Sequence, residues 1–327
     1  MRLGRLKRLP LTFYLFSDGL FVIDAAEELG HLIGMKVLRF ERTDAASAMR
    51  RLEPLVSRDN SMGAKWAGVF YLTLPDYLKE LGIAGDRARV SLLLEDAAKG
   101  ERREITVSAR EFGPDEINIK LIPPRMNATA LNPLYLSRPS ENYWFRKLAP
   151  ETVYFQFNQV QNQPDETLAA FSARLRETLA ENNIKNLIID VRLNNGGEAT
   201  LLRELYRTLI HFETTRDRAK IFVLIGRDTF SAAQTFAGTI NHLTDAVYVG
   251  EPSGSKPNRV GDEAQFVLPY SRVSGSIASG YHQAASKDDR IWIAPDIPVE
   301  VSSADYFNNR DPVLEAVLEI IKNNRDE

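Results

Sequence analysis

Ser231 and Lys256 are the residues whose types and spacing could do covalent chemistry. Ser231 stands where a helix should begin, in Thr229-Phe230-Ser231-Ala232-Ala233-Gln234, and Lys256 follows 25 positions later (256 − 231) in a Gly254-Ser255-Lys256-Pro257 loop. A serine at a helix start is ordinarily a cap whose oxygen accepts a backbone N–H. Its surroundings in sequence point further. Gly196-Gly197 breaks the chain after an apolar run at 187–191, and glycines leave backbone N–H groups accessible and let a carbonyl approach closely, as an oxyanion hole requires. The N–H of Ala232, at the positive end of its helix, is a second donor of that kind. A lysine directly after a buried strand can be desolvated, and a neutral amine can take the proton of a serine hydroxyl. The chemistry so encoded is attack on a carbonyl: Ser231 as nucleophile, Lys256 as general base, and the N–H groups of Gly196 and Ala232 as oxyanion donors.

Strands and helices must hold these groups. Residues 187–191 and 221–225 are short branched apolar runs, the pattern of strands buried on both faces, and 247–249 is a third. After the first, Leu201, Leu202, Leu205, Leu209 and Ile210 share one face of a helix expected from about Glu198. After the second, Ala232, Ala233, Phe236, Ala237 and Ile240 give a helix a small, packable face. Upstream, 152–158 reads as a strand and 164–182 as an amphipathic helix with Leu168, Phe171, Leu175 and Leu179 inward. Downstream, 264–268 and 273–278 read as strands and 312–322 as a helix, with Trp292 and Pro295-Asp296-Ile297-Pro298 trimming the core.

Three segments of this stretch resemble the carboxy-terminal processing (tail-specific) protease family of serine peptidases, in a divergent bacterial branch. Asp190-Val191-Arg192-Leu193-Asn194-Asn195-Gly196-Gly197 is similar to the family's Asp-Leu-Arg-x-Asn-Gly-Gly-Gly, with Asn195 in place of one glycine. The segment at 229–234 is similar to its Ser-Ala-Ser-Ala-Ser-Glu, with Gln234 in place of the glutamate. The spacing from Ser231 to Lys256 is the family's serine-to-lysine spacing. Where the family commonly has a glutamine four residues after the lysine, this chain has Val260. The resemblance implies an α/β fold, a crotonase-like spiral protease core with a Ser–Lys dyad, preceded by a PDZ-like α+β module. It implies a protein or peptide substrate and no cofactor.

Three segments are expected: a PDZ-like α+β module at 1–113, a linker at 114–141 marked by Pro123, Pro124, Pro133 and Pro139, and the protease core at 142–327. In the module, Asp18-Gly19-Leu20-Phe21-Val22 is similar to the peptide-side strand of a PDZ domain, Gly34 to Leu38 to the strand after its short helix, and Ala45 to Leu52 to its second helix. Residues 90–95 and 104–108 alternate around a Lys99-Gly100 turn as a hairpin. A helical insertion at about 54–86 carries Trp66, Phe70, Tyr71, Tyr77 and Leu78.

The 327 residues are 44% hydrophobic and 26% charged, as in ordinary globular proteins, with 41 basic and 44 acidic side chains and net charge −3. That balance gives no electrostatic footprint for nucleic acid. Cysteine is absent, which excludes disulfides and thiol catalysis, and His31, His211, His242 and His282 have no metal-binding spacing. No apolar run reaches the ~18 residues of a transmembrane helix. The basic and apolar start is interrupted at Ser17-Asp18-Gly19, too soon for a signal peptide. The resemblance implies a longer protein with an upstream Asp-Gly-His-Thr segment, and an extracytoplasmic location, periplasmic or secreted. Two other classes use similar backbones: a catalytically inactive peptide- or ligand-binding member of the same fold, and a crotonase-type acyl-CoA enzyme, which shares the oxyanion geometry without the serine and lysine.

Overall fold

A computed structural model describes residues 7–112, 132–272 and 274–324. They form two compact units, Met1–Asn132 with Asp262–Ser279 and Val301–Arg310, and Pro133–Gly261 with Gly280–Glu300 and Asp311–Glu327. Of the expected linker, Pro123 and Pro124 lie outside the described residues, and Leu134–Ser137 is a short helix of the second unit.

The first unit is built on an antiparallel sheet of β1 (Leu11–Phe16), β2 (Gly19–Ala25), β3 (Met35–Phe40), β4 (Arg89–Asp96) and β5 (Arg102–Ser108), in that spatial order. In β4, Val90, Leu92 and Leu94 are buried while the alternate residues are not, the period of a sheet with one covered face. Helix α1 (Ala45–Leu52) starts at Asp44, whose carboxylate accepts the Ser47 N–H at 2.8 Å. Helix α2 (Ser61–Tyr71) starts at Asn60, and α3 (Pro75–Glu80) follows with proline at its first turn.

A PDZ groove needs its peptide-side strand to keep one edge open for strand addition. Here that strand is β2, which pairs with β1 along its length and with β3 at Phe21 and Lys36. The segment 54–86 carries α2 and α3, and its Val69, Leu72, Leu78, Ile83 and Ala84 belong to the same buried cluster as Leu11, Val37 and Leu92.

The second unit holds a six-stranded sheet, ordered in space as Ile297–Pro298, β10 (Val247–Gly250), β9 (Lys220–Ile225), β8 (Asn186–Asp190), β7 (Thr152–Phe157) and β6 (Tyr143–Ala149). All neighbours are parallel except β6 and β7. Leu187, Ile188, Ile189, Val223 and Leu224 are completely buried, because helices cover both faces of a parallel sheet. The helices are α4 (Leu168–Leu179), α5 (Arg203–Thr215), led in by a 3-10 turn at Ala199–Leu202, α6 (Ala232–Leu243) and α7 (Pro312–Asn323). Leu168, Phe171, Leu175, Leu205, Leu209, Phe236 and Ile240 meet in one core, as their spacing requires. The strand–turn–helix unit therefore occurs twice in succession, at β8 and at β9. A hairpin of β11 (Arg259–Val267) and β12 (Ser274–His282) follows, most of it, Asp262–Ser279, assigned to the first unit; its strands extend past the apolar residues only at the end away from the turn.

Candidate active site

Parallel pairing of β8, β9 and β10, with Asp190 beside Leu224 and Ile225 beside Gly250, sets their carboxyl ends side by side. In open parallel sheets that end is where loops assemble sites. The three loops are stitched by hydrogen bonds to main-chain carbonyls. Thr229 Oγ1 donates to the Val191 carbonyl at 2.9 Å, Phe230 N–H to that of Asn194 at 3.1 Å, and Gly254 N–H to that of Thr229 at 3.1 Å. Gly254 must be glycine, since a Cβ there would lie 2.0 Å from the Arg227 carbonyl oxygen.

Ser231 precedes α6 but does not cap it. Its backbone has φ 54° and ψ −123°, far from the extended conformation of an N-cap, and its side chain makes no cap bond. The cap is supplied by the carbonyl of Phe230, which accepts the N–H groups of Ala233 at 3.0 Å and Gln234 at 3.4 Å. The hydroxyl is thereby released. A β-carbon-bearing residue in this left-handed region is strained by about 1–3 kcal/mol, and such strain gathers at functional sites.

Gly196, with φ 113°, lies directly against the serine: a Cβ on it would be 2.5 Å from Ser231 Cβ, 2.9 Å from Ala232 N and 3.0 Å from Ser231 Oγ. The structure thus brings together Gly196, Ser231 and Ala232. The Ala232 N–H donates to no acceptor among the described residues. The Gly196 N–H is different: it donates to Asn194 Oδ1 at 3.0 Å. The Gly196 N–H thus already has an internal acceptor. A buried N–H away from water needs a partner, and Asn194 supplies one while its own Nδ2 donates to the Phe157 carbonyl at 2.9 Å. Val160 N–H and Gln159 Nε2 both donate to the Gly196 carbonyl, fixing the turn from the other side.

Lys256 is half-buried, in a loop fixed just before and just after it. Gly254 is bonded to the Thr229 carbonyl, two residues before Ser231, and Pro257 Cβ packs 3.9 Å from where a Cβ on Gly238 of α6 would sit. Asn258 then anchors the loop through the Ala284 N–H and the Ala285 carbonyl. Val260, in the place of the family's glutamine, is 62% exposed. Instead, Arg259 turns inward, is buried, and donates to Thr235 Oγ1 at 3.1 Å, one helical turn after Ser231.

The residues that lead into the glycine turn hold an ion cluster that the sequence alone did not single out. Arg192, 8% exposed, donates to Asp190 at 2.6 Å and to both carboxylate oxygens of Asp311 at 2.8 Å, with its guanidinium 4.3 Å over the Tyr135 ring. Burial works against its charge, but the two carboxylates outweigh it and hold the guanidinium well above its usual pKa. Asp190 also accepts from Tyr154 Oη at 2.8 Å, and burial, helped by that carboxylate, keeps the phenol protonated. Asp311 caps α7 through the Leu314 N–H. The Asp-x-Arg of the motif is therefore tied to the start of α7 through Asp311. His242 sits in the last turn of α6 with Asp288, whose pKa is held at about 2, chiefly by Arg290 and then by His242.

Among the described residues no group of acidic and histidine side chains could hold a metal ion, and no helix is long and apolar enough to cross a membrane.

No family model matches this chain, and no curated protein matches it. Solved structures do. Mature CPAF is similar over 95% of this chain and 81% of its own, with a TM-score of 0.65 and 14% identity. Mature CPAF complexed with lactacystin is similar over 97% and 84%, again with a TM-score of 0.65 and 14% identity. The photosystem II D1 C-terminal processing protease is matched over 91% and 73%, at 15% identity and a TM-score of 0.39. The fold of this chain is that of mature CPAF, and its resemblance to the tail-specific proteases is a divergent one at low sequence identity.

Proposed function

We propose that this chain is a serine peptidase that hydrolyses peptide bonds of proteins or peptides through a Ser231–Lys256 dyad. The observation that carries the reading is the state of Ser231, strained at φ 54°, relieved of capping, and faced by a glycine with no room for a side chain. In the proposed sequence, Lys256 Nζ takes the hydroxyl proton as Ser231 Oγ attacks the substrate carbonyl, then gives it to the leaving amine. Water, activated by the same amine, releases the acyl group. The Ala232 N–H receives the developing oxyanion. Gly196 N–H joins it by exchanging Asn194 Oδ1 for the charged oxygen, since hydrogen bonds to an ion are roughly twice as strong as neutral ones. All four residues lie in the second unit, which we take as the catalytic domain, with its strand–turn–helix repeats arranged as a crotonase-like spiral.

The bond from Gly196 to Asn194 favours one second reading, an inactive member that binds peptides or other ligands. A fluorophosphonate probe separates the two. The peptidase reading expects one covalent adduct, mapped to Ser231 by peptide mass spectrometry and absent from Ser231→Ala. Labelling elsewhere, or none, would overturn it.

A further inference from the structure

Ser231-Ala232-Ala233-Gln234 has the sequence of a capping box, in which the first side chain bonds the fourth residue's N–H and the fourth side chain reaches back to the first residue's N–H. In the structure neither half is made. The Ser231 side chain bonds nothing as a cap, and Gln234 is completely buried with both Oε1 and Nε2 lacking a partner among the described residues. The chain can build this motif: Ser302 and Asp305 form a complete box at the short helix Ser303–Phe307, with Ser302 at φ −85° and ψ 162°. Asp44, Asn60, Thr167 and Asp311 also cap their helices with side chains. What differs at α6 is the left-handed Ser231, together with the Phe230 carbonyl that takes over the cap.

A buried carboxamide with no partner costs stability, and an apolar side chain of the same shape would remove that cost. Gln234 cannot touch substrate while completely buried, and helix side chains lean toward the amino end of their helix, which here is the serine turn. Resting on the assignment of Ser231 as nucleophile, we propose that Gln234 is a positioning residue for it. As Oγ attacks, the residue relaxes from its left-handed conformation toward that of an ordinary N-cap, and its N–H comes to Gln234 Oε1. The carboxamide is held in reserve in the free protein and used on the way to the acyl state.

The test measures two quantities on Gln234→Met, Gln234→Glu and wild type: the thermal midpoint, and the second-order rate of fluorophosphonate labelling at Ser231. Methionine keeps the shape and loses the acceptor, so it should raise the midpoint while slowing labelling about 10-fold or more. Glutamate keeps an acceptor and should label within about 3-fold of wild type. Opposite signs for stability and reactivity are what a merely structural glutamine would not give. A methionine variant that labels like wild type, or one whose midpoint falls, overturns the proposal. Failure of wild type to label at Ser231 refutes the nucleophile instead, so the two failures are distinguishable.

Discussion

At the scale of single residues, the hydroxyl of Ser231 has no structural duty. Ser231→Ala is therefore expected to leave the thermal midpoint within about 1 °C of wild type, or to raise it slightly, because no cap bond is lost. The same substitution should abolish labelling and hydrolysis. Residual turnover above roughly 10% would exclude Ser231 as nucleophile. Lys256→Arg should be as inactive as Lys256→Ala, since a guanidinium does not release its proton and cannot act as the base; peptide turnover by the arginine variant would reduce Lys256 to a loop support. Ser231, Ala232 and Gly196 were legible because serine, small residues and paired glycine are chemically distinctive. Asn194 and the Phe230 carbonyl were not. Their roles come from which backbone group each happens to meet, and any residue has a carbonyl.

Secondary elements were legible where burial imposes a period. The largely apolar β8 and β9 and the one-faced α4 could be placed from side-chain type alone, since burial fixes their pattern. The insertion at 54–86 shows the limit. Its apolar residues announce burial, but sequence does not say against what, and they complete the core of the first unit. The outer ends of the β11–β12 hairpin are not legible in sequence, because most of its residues are exposed and no buried face marks them. Caps give a sharp comparison at this scale. Asp44→Ala removes a cap that is made and should cost about 1 kcal/mol in urea unfolding. An equal loss from Ser231→Ala would mean that Ser231 caps α6 in solution.

Across the whole molecule, charge distribution should govern behaviour in acid. Asp288 has its pKa depressed to about 2 by Arg290 and His242. Its contribution is therefore present above the ordinary carboxylate value of about 3.9 and is lost as pH falls through about 2. Asp288→Asn should be less stable than wild type at pH 6, with the difference narrowing between about pH 4 and pH 2. A difference that stays constant over that window would show that Asp288 acts through packing and not through charge.

Arg192 and Asp311, paired in the core of the second unit, are 119 positions apart in the chain. Removing one partner of such a pair is costly, so Asp311→Ala should lose about 3–5 kcal/mol and slow labelling at Ser231 as well. The separation also sets a clock. At about 5–20 residues per second, synthesis needs roughly 6–24 s to pass from Arg192 to Asp311. Over the last 55 of those positions (311 − 256) Ser231 and Lys256 have already been made, while the Arg192 guanidinium still lacks half of its counter-charge. If reactivity at Ser231 needs the complete Arg192 cluster, it is expected only once Asp311 has been added. Stalled chains ending before and after Asp311, exposed to the same fluorophosphonate, would show whether reactivity arrives with that residue.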